Sequence, residues 1–170
     1  ILDDELVLDI PDGFVLKFYV LPTKKIINLK VIQNNNSDVK VYFSILGDDN
    51  KSHNIKNNII GSNNKTLVKG RVLSDSSDVS LTVEGEIFKG TLNNVYTEDI
   101  KGLNLNNGFV KIVPNLLVST DNVLANHLVS ISDIRKDEVN YLMQKGISED
   151  EAKKLLVLGF VDDFKKELPM

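Results

Sequence analysis

Cysteine is absent from this sequence, and histidine occurs only twice, at His53 and His127. The first absence excludes disulfides, thiolate-ligated zinc and a thiol nucleophile within the chain. Apolar runs of the ~20 residues needed to span a bilayer are also missing. So is a basic-then-apolar leader at the start. These absences lead to the expectation of a cytoplasmic chain with no membrane partner. The net charge of −4 and a pI near 5.2 carry no basic footprint for nucleic acid. The segment "GSNNKT" lacks the Gly-Lys-Ser/Thr end of a phosphate loop. The acidic clusters "LDDE", "SEDE" and "VDDF" lack the alternating oxygen ligands and central glycine of a calcium loop, and read as solvated faces. The two sequons, at Asn35 and Asn64, mean little in a chain rich in asparagine and without a leader. The start at Ile1 rather than methionine reads as that of a fragment.

What is present is a succession of short alternating segments. "IINLKVI" (26–32), "VKVYFSIL" (39–46), "TLVKGRVL" (66–73), "VSLTVEGEIF" (79–88) and "GFVKIVPNLLVS" (108–119) are expected strands. Val39, Val41, Phe43 and Ile45 share one parity, as do Val79, Leu81 and Val83, the period of half-buried strands. Between them lie "QNNNSD", "GDDNKS", "GSNNK", "SDSSD", "LNN" and "LNNG", residues that accept or satisfy turn backbone. No helical period of useful length precedes Ser132. Residues 1–131 are therefore expected to form an all-β core domain. Periodicity leaves an antiparallel sandwich and a β-solenoid both open.

Residues 132–170 change period and are expected to form a helical subdomain. Val139, Leu142 and Met143 make a helical stripe, with Asp137 and Glu138 where the helix dipole favours negative charge. Gly146 is the expected helix stop. Ser148 and Glu151 form a capping box, and Ile147 is placed to staple onto Ala152. Ala152, Leu155, Leu156, Gly159, Phe160 and Phe164 are the expected apolar face of the second helix. The two helices should make a hairpin packed at one end of the β domain, partly capping it.

His127 shares a strand face with Val123, Ala125, Val129 and Ile131. On residues alone it is either a core histidine bonded to backbone or a working group. One imidazole makes neither a triad nor a closed metal site, so a working role would need a partner to complete it. His53, in "DDNKSHN", reads as a solvated loop residue.

The order "VPNLLV", "DNVLANH", "DEVNYLMQKGISEDEAKKLLVLGF" resembles the C-terminal region of the SufB/SufD family of iron–sulfur cluster assembly proteins. The family pattern is a strand bearing Pro-x-Leu, an acidic-Val-x-Ala-x-His segment, and two helices, the first ending in Gly and the second in Gly-Phe. The resemblance covers about the last third of the chain. It implies a right-handed parallel β-helix with a C-terminal α-helical hairpin, hence the solenoid. It also implies dimerisation through the β-helix, with a SufB/SufD-like subunit or a second copy, and docking of a SufC-like ABC ATPase on the helices. His127 matches the histidine that SufD brings to the dimer interface, and is the expected nitrogen ligand to iron or to the cluster, or a proton acceptor in its assembly. Leu128 follows it where the family often has Gly or Glu. Lacking the SufB cysteine, the chain looks SufD-like or like a divergent paralogue, although "FKKELP" is SufB-like.

The resulting expectation is a non-enzymatic scaffold subunit of a SUF-type assembly complex. It would hold no cofactor tightly by itself and would meet a transient iron–sulfur cluster in the complex. Tyr141, Lys145, Gly146 and Ile147 are the expected ATPase-docking residues, and Leu128 is expected to shield the side of the strand opposite His127. A β-helix carbohydrate-active enzyme and a purely structural solenoid are the alternatives. The first would need acid pairs, or Arg or Lys with an acid, on adjacent coils, and Arg71 and Arg135 are the only arginines.

Overall fold

The computed structural model describes residues 5–23, 26–47 and 49–165, with side chains throughout that set except at 21–23 and 163–165. Residues 2–4 of "LDDE", Asp48, the Phe164 side chain and residues 166–169 of "FKKELP" thus lie outside the description. Among the described residues, ten strands precede two helices: β1 (Leu6–Ile10), β2 (Val15–Thr23), β3 (Asn28–Gln33), β4 (Asp38–Gly47), β5 (Lys51–Ile59), β6 (Lys65–Asp75), β7 (Asp78–Ile87), β8 (Asn94–Leu105), β9 (Phe109–Val118) and β10 (Val123–Asp133). The odd strands form one sheet in the order β1-β3-β5-β7-β9, and the even strands another in the order β10-β8-β6-β4-β2. Each strand pairing is parallel. The chain therefore passes from one sheet to the other and back, each odd–even pair adding a coil. This is a parallel β-solenoid, and the sandwich is ruled out.

Stacking in register turns single inward residues into columns. Leu29, Ile55 and Val83 form one, and Ile59 and Ile87 stack on each other in the same sheet. Across the core, Val41 sits on Val68, and Phe43 on Gly70. All of these apolar side chains are buried. Burying each aliphatic or aromatic one contributes roughly 1.5–3 kcal/mol relative to exposure. A Cβ on Gly70 would fall 2.1 Å from the Phe43 ring, so that layer needs a residue without a side chain.

The polar clusters form the corners. Asn36, Asn63 and Asn93 all have φ between 56° and 60°, as do corner residues Ser76 at 56° and Asn107 at 64° within a few degrees. The Asn63 Nδ2 donates to Asn36 Oδ1 at 3.2 Å, and Asn93 Nδ2 donates to Asn63 Oδ1 at 3.1 Å. Behind this outer ladder runs a buried one: Asn64 Oδ1 accepts from the Ser37 amide, and Asn94 Oδ1 from the Asn64 amide. Asparagine recurs at the corners because it tolerates left-handed backbone and links one coil to the next with the same side chain.

The five expected strands are all present as β3, β4, β6, β7 and β9. Two others, β5 and β8, escape a search for apolar alternation because their inward positions include His53 and Asn57, and Asn94 and Glu98. His53 is a strand residue only 3% exposed, which corrects its reading as a solvated loop residue.

Helices α1 (Lys136–Gln144) and α2 (Glu149–Lys165) follow. Gly146, at φ 85°, closes α1 in a Schellman motif: its amide donates to the Met143 carbonyl, and the Ile147 amide to the Leu142 carbonyl. The Ser148 amide donates to Glu151 Oε2 at 3.3 Å and the Glu151 amide to Ser148 Oγ at 3.4 Å, the expected capping box. The buried stripe of α2 differs from expectation. Ala152 is buried and Leu156, Val157, Phe160 and Val161 are half-buried, whereas Leu155 and Gly159 are exposed. The cause is where the helix rests. Val157 and Leu158 line a groove with Leu73 and Leu105, outward residues at the ends of β6 and β8. The hairpin thus lies on the flank of the even sheet. It does not cover the last coil, where Leu117, Val118, Leu124 and Leu128 stay exposed.

Replacing Asn63 with alanine removes both ladder bonds and leaves a Cβ-bearing residue in left-handed backbone. A loss of about 1–3 kcal/mol is expected, read as a lower urea midpoint. Asn63→Gly should lose less, because only the side-chain bonds go.

Candidate functional site

The open end of the solenoid is formed by β9 and β10, the last strands of the two sheets. On β10, Val123, Ala125 and Val129 pack half-buried against the core. His127 lies between them on the same inward parity but is exposed, because no further coil covers it. It is therefore not the buried core histidine that one sequence reading allowed. Leu128 turns to the outer face and is 61% exposed, so in this chain it shields nothing from water.

One coil inward, the register partner of His127 is Glu98. Glu98 is fully buried. The Tyr96 hydroxyl donates to its Oε1 at 2.7 Å, while Oε2 is shut away from solvent without a hydrogen-bond partner. Burial raises the carboxyl to about 7, against the opposing effect of the Tyr96 bond. The same burial, reinforced by the charge of Glu98, holds the Tyr96 phenol well above its ordinary value. The layer is built around this pair. A Cβ on Gly85 would stand 2.5 Å from the Tyr96 ring, and Asn57, the register partner of Gly85, lies beside Tyr96. Sequence reasoning missed Glu98 and Tyr96 entirely. The available signal was an acid on the inward parity of "NVYTEDIKG", which reads locally as a break in alternation.

His53 is a separate polar site in the opposite sheet. The Ile27 amide donates to its Nδ1 at 3.1 Å, so the ring is neutral with its proton on Nε2. Burial lowers it to about 4, helped by the nearby Lys51 charge and opposed by Asp49. Arg71 is buried too, with Nη1 donating to the Gly70 carbonyl at 2.8 Å and facing Asp99 at 3.8 Å. That occupation leaves it poorly placed as a catalytic arginine.

The expected docking residues lie at the hairpin turn. Tyr141 is 60% exposed, with the Lys145 Nζ 5.4 Å from its ring centroid. Gly146 is exposed and Ile147 half-buried. They are some distance in sequence from His127, and nothing in the contacts joins the two groups into one site. Among the described residues, no cluster of three or more His, Asp or Glu side chains could hold a metal ion, and no helix is long and apolar enough to cross a membrane.

The two buried titrating groups oppose each other. Glu98 favours the fold while protonated, fully below its ordinary 4.5, and this stability is lost as pH rises through about 7. His53 favours the fold while neutral, above 6.5, and this stability is lost as pH falls through about 4. Each amounts to about 3 kcal/mol at ~1.4 kcal/mol per pH unit. Their slopes cancel between 4.5 and 6.5. Urea midpoints of Glu98→Gln should therefore rise with pH across that window relative to the parent, and those of His53→Gln should fall. An unchanged slope in Glu98→Gln would mean that the carboxyl is effectively solvated.

Comparison with known proteins adds a family to this geometry. Residues 105–160 match the family model described as SUF system FeS cluster assembly, SufBD core domain. A stretch of 58 residues is 41% identical to an iron–sulfur cluster assembly SufBD family protein of Staphylococcus saprophyticus and to one of Staphylococcus haemolyticus. It is 40% identical to the iron–sulfur cluster assembly protein SufB of Bacillus subtilis. In each case the match covers 34% of this chain and 12% of the relative. The chain thus spans only about an eighth of the length of the curated relatives it matches. From the end of β8 through β9, β10 and most of the helical hairpin, this chain is similar to the SufBD core domain.

Proposed function

We propose that this chain acts as a non-enzymatic scaffold in SUF-type iron–sulfur cluster assembly, with residues 1–131 as the solenoid core and 132–170 as a helical subdomain. The observation that carries the reading is the coincidence of the SufBD core match with an exposed imidazole at the open end of the solenoid. The cluster is cargo. In this proposal His127 supplies it with one neutral nitrogen, a suitable ligand for iron. The remaining ligands come from a SufB/SufD-like subunit or a second copy seated on the open end. Unpaired parallel edges with exposed Leu117, Val118, Leu124, Leu128 and Ile131 suit such a partner, because bare strand edges and contiguous apolar surface are otherwise liabilities. Leu128 would exclude water once the partner covers it. The hairpin takes a SufC-like ABC ATPase through Tyr141, Lys145, Gly146 and Ile147. Leu142 and Leu156 line the surface beside Tyr141 there.

Because His127 is exposed, His127→Ala should leave the protein folded and lower the melting temperature by no more than about 5 °C, the loss of one hydrogen bond at most. The yield of cluster on the complex reconstituted with SufB-like and SufC-like partners should drop severalfold. Normal cluster yield per folded complex would overturn the ligand role. Tyr141→Ala combined with Lys145→Glu should abolish capture of the ATPase in a pull-down while far-ultraviolet dichroism stays unchanged. Undiminished capture by the folded double variant would remove the hairpin from the docking surface.

A further inference from the structure

We propose that Glu98 is a positioning residue for His127: its buried carboxyl accepts a hydrogen bond from one ring nitrogen, so that the other nitrogen is presented at the open end of the solenoid. This deepens the reading of His127 above and rests on it. The two residues are register partners on the same inward face, and neighbouring strands lie about 4.8 Å apart. Oε1 of Glu98 is already engaged by Tyr96, which leaves Oε2 buried and without a partner. A buried carboxyl oxygen in that state calls for a donor.

The surroundings offer few. Further along the same column stand Val68, Val41 and Phe18. On β8 the inward neighbours are Tyr96, already bonded to Oε1, and apolar Ile100. On β6 they are Gly70 and Thr66, whose hydroxyl donates to Gln33 at 2.6 Å. On β10 they are Ala125 and Val129. Across the core, Gly85 makes room, and Asn57 lies beside Tyr96 with its Nδ2 also buried and without a partner, the other N–H near this layer. No Lys or Arg occupies any of these positions. Of the side chains next to Glu98 on its own sheet, His127 is therefore the one with an N–H to give. A ligating imidazole generally donates its second nitrogen to a carboxylate or carbonyl, which fixes tautomer and ring orientation. Glu98 stands where that acceptor is needed, held in place by Tyr96.

The test is the tautomer of His127 in the intact chain labelled with 15N-histidine, read from long-range proton–nitrogen correlations well above the ordinary imidazole range. His53 is the internal reference, since its Nδ1 accepts from Ile27 and its proton is confined to Nε2. We expect His127 in the parent chain to show one dominant tautomer, with the shifts of its two ring nitrogens far apart. In Glu98→Gln the partner atom can become an amide donor, and the preference should collapse or invert while the His53 signals stay in place. Averaged, intermediate shifts for His127 in the parent would overturn the proposal without any variant. A parent tautomer that Glu98→Gln leaves untouched, with His53 unmoved, would overturn it as well. The two readings fail separately. If His127→Ala lowers cluster yield but the tautomer ignores Glu98, only the positioning role falls. If the tautomer follows Glu98 but cluster yield ignores His127, the pair stands and the cluster reading falls.

Discussion

Parallel stacking in register is the constraint on which the molecule depends. Each coil hydrogen-bonds only to the coils above and below, so a residue's inward neighbours are set by what lies one coil away. Columns such as Leu29-Ile55-Val83 follow from that rule. So does the demand for a glycine wherever a large ring crosses the core, at Gly70 beneath Phe43 and at Gly85 against Tyr96. The corners obey the same rule through asparagine, whose amide donates to one coil and accepts from the next.

The rule also explains how a solenoid accommodates polar groups inside. A buried polar group meets its partner on the next coil, as His53 meets the Ile27 amide, or on its own strand, as Glu98 meets the Tyr96 hydroxyl two residues away. Burial shifts both groups toward their neutral forms, His53 by losing affinity for its proton and Glu98 by gaining it. The polar layer around Glu98 lies one coil from the open end, which places a buried acid directly behind the exposed imidazole.

The open end is where stacking stops. Inward-facing residues of β10 have a coil on one side and solvent on the other, and His127 is exposed for that reason although its parity is that of the core. The hairpin does not fill the gap, because α2 is drawn to the apolar ends of β6 and β8 at Leu73 and Leu105. In the proposed scaffold, a partner completes this end, which carries one exposed imidazole and apolar strands.

Some of this was legible in the residues alone. The alternation of Val39, Val41, Phe43 and Ile45, the left-handed asparagine corners, the Gly146 stop and the Ser148–Glu151 box are local features. They depend on neighbours within a few positions, so the sequence by itself determined them. The direction of pairing was not local: periodicity leaves parallel and antiparallel partners equal, and the solenoid followed from family resemblance until the strand order was seen. Only the tertiary structure decided that β5 and β8 are strands, that His53 is buried, and that α2 turns its 152–156–160 edge inward. Only it brought Glu98 behind His127, 29 positions away. His53 faces the core on an atom that the next coil supplies, and only stacking sets Glu98 behind His127, so neither arrangement is visible in a local window of sequence.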